Sequence, residues 1–169
     1  FATEPPRCQI RGMRTPALLL AALCAAIATP AFGASSAIYD SPTISARLVA
    51  APNGVAPGVG VISAGLAVEL KPGWKTYWRT PGEVGLPPHI DWAQSENIAD
   101  LRMLFPAPER FRAFGIENYG YGGRVLYPLE LTLAAPGEAM TLAADGSLLV
   151  CSTICVPEQF PLSLDLPPG

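Results

Sequence analysis

Apolar and polar residues alternate along much of this chain, which is the pattern of strands that bury one face. The clearest case is Val59–Leu70, where every second residue from Ile62 onward is apolar. Val156–Leu166 repeats the pattern from Phe160 onward. Further short strands are predicted at Ile44–Ala50, Trp74–Arg79, His89–Trp92, Ile98–Phe105, Val125–Leu133, Met140–Ala143 and Ser147–Cys151.

Gly- and Pro-rich segments separate these strands, as at Ala51–Gly58 and Thr80–Pro88. Asp145-Gly146 is a hairpin-type turn signal. Pro106–Gly123 has no clear period and is predicted as a long loop, while Pro128 predicts a sheet edge or a bulge in its strand. Short strands between turn signals, without a long helical pattern, predict an all-β sandwich.

Residues 1–33 have the layout of upstream residues followed by a secretory signal peptide. Met13 is the expected start, Ala17–Ala28 is an apolar run, and small residues precede an expected cleavage near Gly33. The run is shorter than the roughly 20 residues that a membrane span needs. The sequence therefore predicts export with cleavage.

The remaining residues, 34–169, are enough for one domain with a real core. They carry 13 acidic and 8 basic side chains, a balance that argues against nucleic-acid binding. Because Cys8 and Cys24 lie in the expected leader, only Cys151 and Cys155 should remain in the mature protein. In an exported protein this pair can form a disulfide.

The spacing of Cys151 and Cys155 requires the chain to fold back between them. Four strand steps span about 13 Å, whereas the Cα atoms of a disulfide lie about 4.4–6.8 Å apart. A helical turn would bring the residues together, but the β-branched residues of the segment and Pro157 disfavour a helix. A tight turn over Ser152–Ile154 that joins two strands is the better interpretation.

A bridge across so short a loop stabilises a fold least in the chain-entropy model. This favours a labile or redox-active pair over a structural disulfide, although the structural alternative stays open. Cu(I) is a third alternative, because two thiolates suit this soft metal.

Three segments resemble the N-terminal periplasmic domain of the DsbD/ScsB family of thiol–disulfide interchange proteins. They are Gly73–Pro88 (G-W-K-T-Y-W-R-T-P-G-E-V-G-L-P-P), Glu117–Gly123 and Cys151–Glu158. The resemblance covers most of residues 40–166, and the C-x3-C spacing is similar to the ScsB branch. It implies a periplasmic, immunoglobulin-like sandwich without a cofactor. Its partners would be a DsbD/ScsB-type membrane electron-transfer domain and thioredoxin-like periplasmic proteins.

Two further expectations follow from the resemblance. The chain ends at Gly169 without the membrane helices or the thioredoxin-like domain of the family, so it is either a fragment of a longer protein or a stand-alone relative. The ScsB branch is associated with copper tolerance, so Cu(I) binding and thiol exchange could coexist at the same cysteines.

The resemblance also assigns roles to residues. Cys155 would form the mixed disulfide with the partner, and Cys151 would resolve it. Tyr119 is the first candidate for a cap over the cysteines, Phe114 is the second, and Tyr121 lies in the same segment. Such an aromatic ring would shield the reduced pair and move aside for a partner.

Three other polar residues have simpler interpretations. Glu117 and Glu158 are expected to be solvated, although a carboxylate near the sulfurs could accept or deliver a proton during exchange. His89, the single histidine, is expected to be an ordinary surface or half-buried residue. Nothing in the sequence brings it to the cysteines as a zinc ligand, and no metal site is predicted.

Overall fold

The computed structural model of the protein describes residues 33–113 and 115–169. This part of the chain is all β and contains no helix, and so none that could cross a membrane. The expected leader, apart from Gly33, and the cap candidate Phe114 lie outside the described residues.

The described residues form eleven strands. In chain order these are β1 (Tyr39–Asp40), β2 (Ile44–Ala50), β3 (Val61–Leu70), β4 (Lys75–Gly82), β5 (His89–Asp91), β6 (Ile98–Met103), β7 (Glu109–Ala113), β8 (Ile116–Gly122), β9 (Arg124–Leu133), β10 (Met140–Cys151) and β11 (Cys155–Leu166).

The strands form two antiparallel sheets that pack as an immunoglobulin-like sandwich. One sheet has the order β1-β2-β3-β9-β6. The other has the order β11-β10-β4-β8-β7, and β5 pairs with the middle of β10. This architecture confirms the all-β sandwich predicted from the sequence.

The core lies between the two sheets and follows the period-two pattern of the strands. In β11 every second residue from Glu158 to Leu166 is buried, and β9 alternates in the same way. Tyr127 and Phe160 are the largest fully buried side chains. Each large apolar side chain buried in this way stabilises the fold by about 1.5–3 kcal/mol.

Most predicted strands are confirmed, with ends that differ by a few residues. Thr76 in β4 is 2 % exposed, and Trp74 and Trp78 pack against the core beside it. The tight turn that joins the two cysteine-bearing strands is confirmed as well.

The prediction of a long loop over Pro106–Gly123 is wrong. Most of this segment is a hairpin in which β7 pairs with β8, from Glu109 opposite Gly120 to Ala113 opposite Ile116. Charged and aromatic residues alternate here in place of aliphatic ones, and most of the hairpin is only partly buried. The hydrophobic pattern that marks the core strands is therefore absent.

The turn predicted at Asp145-Gly146 is also wrong, because β10 runs without a break through both residues. Here β10 pairs with β5 on one edge and with β11 on the other, so its backbone groups are satisfied without a turn. Gly146 serves packing instead. A Cβ atom at this position would lie 2.2 Å from the ring of Phe160.

Pro128 does not mark an edge strand, since β9 lies between β3 and β6. Its carbonyl accepts a hydrogen bond from the backbone N–H of Leu104, just beyond the end of β6. The missing N–H of Pro128 therefore faces the side on which the neighbouring strand ends, and an interior strand tolerates the proline. The β6–β9 pairing has its irregularity elsewhere, between Ile98 and Asp100.

The packing at Gly146 gives a first prediction. Gly146→Ala should lower the free energy of unfolding by about 1–3 kcal/mol, because the added methyl group collides with the buried Phe160 ring. Gly122→Ala is the control, since nothing lies within 4 Å of the position of its Cβ atom. Urea unfolding of both variants measures the difference, and equal stabilities would contradict the packing role.

Candidate functional site

Cys151 and Cys155 form a disulfide at the tip of the β10–β11 hairpin. Cys151 is the last residue of β10 and lies directly opposite Cys155, the first residue of β11. Their Cα atoms are 4.0 Å apart. The backbone N–H of Ser152 donates to the carbonyl of Ile154 at 2.8 Å and closes the turn. The pair is thus placed by twelve consecutive residue pairs of the longest hairpin in the described chain.

The two sulfur-bearing residues differ in exposure. Cys155 is exposed, as are all three residues of the turn, whereas Cys151 is half-buried beside β4. In thiol–disulfide exchange an incoming thiolate must reach one sulfur of the bond. The arrangement makes Cys155 the accessible sulfur and Cys151 the one held within the sheet.

Tyr77 of β4 reaches the disulfide from the neighbouring strand. Its hydroxyl lies 3.4 Å from the Sγ atom of Cys151, within hydrogen-bond distance for sulfur. The sequence pattern alone does not point to a role for this residue. The available signal was its position in the Gly73–Pro88 motif, and the contact depends on the pairing of β4 with β10, which spacing in the chain does not reveal.

The loop after β4 holds the ring of Tyr77 in place. Gly85 lies against the ring with a φ of +112°, and a Cβ atom here would be 2.3 Å from the ring. At the start of the loop, the N–H of Glu83 donates to the carbonyl of Glu117 at 3.2 Å. The N–H of Glu117 donates to the Glu83 carboxylate at 3.0 Å. These bonds tie the loop to β8 and hold Gly85 over Tyr77.

Lys75 is a second residue at the site that the sequence pattern alone does not reveal. It pairs directly with Cys151 across β4 and β10, so the two side chains share one face of the sheet. No basic residue adjoins the cysteines in sequence, and the sheet supplies one.

The structure does not bring the described cap candidates to the sulfurs. Tyr121 is 5 % exposed, its hydroxyl donates to the Pro106 carbonyl at 2.8 Å, and its ring packs edge-on against Tyr127. Burial raises the pKa of Tyr121 to about 12. Tyr119 is half-buried and pairs with Arg110, on the face of the hairpin opposite Phe111. A cap role for Tyr119 stays a prediction that these contacts do not support.

The side chain of Glu117 lies on the same face of the β7–β8 hairpin as Arg110 and Arg112. Its carboxylate accepts a hydrogen bond from the guanidinium of Arg112 and lies 3.9 Å from that of Arg110. The Glu117 carboxylate is thus paired with two guanidinium groups. A role for it in proton transfer to the sulfurs stays a prediction.

Glu158 is only 8 % exposed, so the expectation that its charge is solvated is wrong. Its carboxylate accepts hydrogen bonds from the hydroxyls of Tyr39 at 2.8 Å, Ser41 at 3.0 Å and Thr43. The bond to Glu158 raises the pKa of Tyr39. Because Glu158 faces the core while Cys155 faces outward, this carboxylate ties β11 to the opposite sheet, away from the sulfurs.

His89 lies on β5, where it pairs with Ser147, four residues before Cys151 in β10. It is exposed, in agreement with the expected surface or half-buried position. Among residues 33–113 and 115–169, no group of three or more His, Cys, Asp or Glu side chains is placed to hold a metal ion. The Cu(I) alternative needs only the two thiolates and stays a prediction.

Comparison with known proteins identifies the class to which this site belongs. Residues 47–167 match the family described as "Thiol:disulfide interchange protein DsbD, N-terminal", so the chain belongs to that family. The disulfide at the hairpin tip lies within the matched residues.

A solved structure is similar over most of the chain, namely the N-terminal periplasmic domain of ScsB from Proteus mirabilis. The two are 32% identical with a TM-score of 0.62, and the match covers 79% of this chain and 52% of the ScsB chain. This chain therefore spans about half the length of that relative. No curated protein matches the sequence.

The Glu158 network gives a second prediction. Glu158→Ala should lower the free energy of unfolding by about 3 kcal/mol, because it leaves the hydroxyls of buried Thr43 and of half-buried Tyr39 and Ser41 without their charged acceptor. Glu69→Ala is the control, since its ion pair with Arg124 is exposed and such pairs contribute about 1 kcal/mol or less. Urea unfolding of both variants tests this, and a smaller loss for Glu158→Ala would contradict the role of the network.

Proposed function

We propose that this domain relays electrons in the periplasm through the Cys151–Cys155 pair, as a protein-disulfide reductase module. It would receive electrons from a DsbD/ScsB-type membrane domain and pass them to thioredoxin-like proteins. The observation that carries the proposal is the exposed Cys155 bonded to a half-buried Cys151 at the tip of the β10–β11 hairpin. Membership of the thiol–disulfide interchange family supports the reaction class.

The first half of the relay reduces the domain. A thiolate of the electron donor attacks the Sγ atom of Cys155, a mixed disulfide forms, and Cys151 leaves as a thiolate. The second thiol of the donor then attacks its own sulfur in the mixed disulfide and releases Cys155. The donor dithiol is oxidised to a disulfide, and the domain gains two electrons and two protons.

The second half runs in the opposite direction. The thiolate of Cys155 attacks the disulfide of a thioredoxin-like partner, and Cys151 resolves the resulting mixed disulfide. Tyr77 supports both halves, because its hydroxyl can donate a hydrogen bond to Cys151 when that sulfur carries negative charge. Gly85 keeps the ring in position for this contact.

Exposed apolar side chains in the turn between the cysteines and in the loop after β4 suit a protein substrate. Ile154, in the turn between the cysteines, is 64% exposed, while Val84 and Leu86 flank Gly85 and are 47% and 62% exposed. A partner that presents a thiol to Cys155 would contact Ile154 in the adjoining turn. Burial of these side chains on docking would favour a protein with an apolar rim around its own cysteines.

The structural-disulfide alternative makes a different prediction about the redox potential. A structural bond is expected below about −300 mV, and a working one lies above it. The exposed position of Cys155 and the three-residue turn support the working bond. Cu(I) titration of the reduced domain tests the copper alternative separately.

A third prediction concerns the roles of the two cysteines. Cys151→Ala should trap a covalent complex with a thioredoxin-like partner through Cys155, because no thiol remains to resolve it. Cys155→Ala should abolish partner reduction, since the remaining sulfur is half-buried. Non-reducing gels of both variants with the partner measure the adducts.

Ser152→Ala is the control, because it changes the same turn without removing a thiol. It should reduce the partner and leave no trapped complex. A stronger adduct with Cys155→Ala than with Cys151→Ala would reverse the roles assigned to the two sulfurs.

A fourth prediction concerns stability. The disulfide closes a very short loop, so its chain-entropy contribution should fall below the roughly 3 kcal/mol expected for a 15-residue loop. The oxidised and reduced forms should therefore melt within several degrees of each other in a thermal scan monitored by circular dichroism. Loss of the folded state on reduction would favour the structural disulfide.

A further inference from the structure

Lys75 faces the half-buried sulfur of the site across a strand pairing. Residues directly opposite in an antiparallel pair have Cβ atoms about 4.5–5.5 Å apart on the same face. Lys75 and Cys151 are such a pair. The side chain of Lys75 is long enough to bring its ammonium group to Cys151 Sγ from this position.

In the disulfide form the ammonium group of Lys75 lies elsewhere. Its Nζ atom is 4.0 Å from the ring centroid of Phe111 in β7, which is a cation–π contact. Strand β8 lies between β4, which carries Lys75, and β7, which carries Phe111, and its Gly122 pairs with Lys75. Nothing lies within 4 Å of the position that a Cβ atom of Gly122 would take, so the surface here is open.

We propose that Lys75 is the counter-ion of the Cys151 thiolate, resting on Phe111 while the disulfide is intact and turning to Cys151 on reduction. The inference rests on the proposed exchange at this pair. A disulfide carries no charge and does not attract the ammonium group of Lys75, whereas the Phe111 ring attracts it through a cation–π contact. Once Cys151 becomes a thiolate, an ion pair of similar strength competes with the ring.

The role follows from the chemistry of the leaving group. When a donor thiolate attacks Cys155, the S–S bond breaks and its electron pair goes to the Sγ atom of Cys151. Stabilised thiolates leave faster. An ammonium group on the same face stabilises this charge, while the hydroxyl of Tyr77 hydrogen-bonds the same sulfur.

Few ionisable groups, Lys75 included, face Cys151. On β4 these are Lys75 and Tyr77, while Arg79 lies farther along the strand with its guanidinium over the Trp78 ring. On β11 it is Cys155, and β8 presents Gly120 and Gly122 on this face. Farther away on the same face, Glu109 of β7 pairs with Gly120, and His89 of β5 pairs with Ser147. Lys75 is therefore the cation closest in register to the sulfur.

The test is the rate at which Cys151 reacts with iodoacetamide in the reduced protein, followed by site-resolved mass spectrometry across pH. Lys75→Met should slow alkylation of Cys151 near neutral pH by about threefold and move the midpoint of the profile to higher pH, because the thiolate loses its counter-ion. Lys75→Arg should stay near the wild-type rate, since it keeps the charge.

Two further variants separate this role from general effects. Lys71→Met removes the same charge four residues away, at an ion pair with Asp40, and should leave the rate unchanged. Phe111→Leu removes the competing ring and should raise the rate. Equal rates in Lys75→Met and Lys71→Met would overturn the proposal. A rate at or below wild type in Phe111→Leu would overturn the resting place on the ring.

This measurement does not depend on a protein partner. If Lys75→Met slows alkylation while the wild-type domain reduces no thioredoxin-like protein, the counter-ion stands and the proposed electron relay fails. If the domain reduces its partner and Lys75→Met alkylates at the wild-type rate, the relay stands and the counter-ion fails.

Discussion

The continuous pairing of β10 with β11 is the constraint on which the site depends. Twelve consecutive residue pairs, from Met140–Leu166 to Cys151–Cys155, fix the register of the hairpin. Because side chains alternate with a period of two, a slip of one residue would turn the buried leucines of β11 outward. The core therefore sets which face the cysteines occupy, and the turn sets only how closely they approach.

The same alternation gives the second sheet an inner face in the core and an outer face away from it. Its inner face carries Thr76, Val150 and Phe160 and belongs to the core. Its outer face carries Cys151, Lys75 and Tyr77, none of which the sandwich needs for burial. Core packing and the candidate site thus lie on opposite sides of the same strands, so substitutions on the outer face should have little effect on the fold.

The sequence predicted what depends on local pattern. The strands with an aliphatic face, such as Val61–Leu70, and the turn between the cysteines are found close to where alternation and turn chemistry place them. The β7–β8 hairpin was missed because its alternating residues are charged and aromatic. Tyr77 and Lys75 were missed for another reason, since their partner lies more than 70 residues away and only the sheet order joins them.

The hydroxyl network around Glu158 has a consequence for recognition. It anchors β11 to β1 and to the turn before β2, three residues beyond Cys155. Breaking the S–S bond can then change torsion angles in the turn while the strand beyond it stays fixed to the other sheet. A partner would meet nearly the same outline in either redox state. It would have to distinguish the two states by the charge on sulfur and the position of one ammonium group, and not by shape.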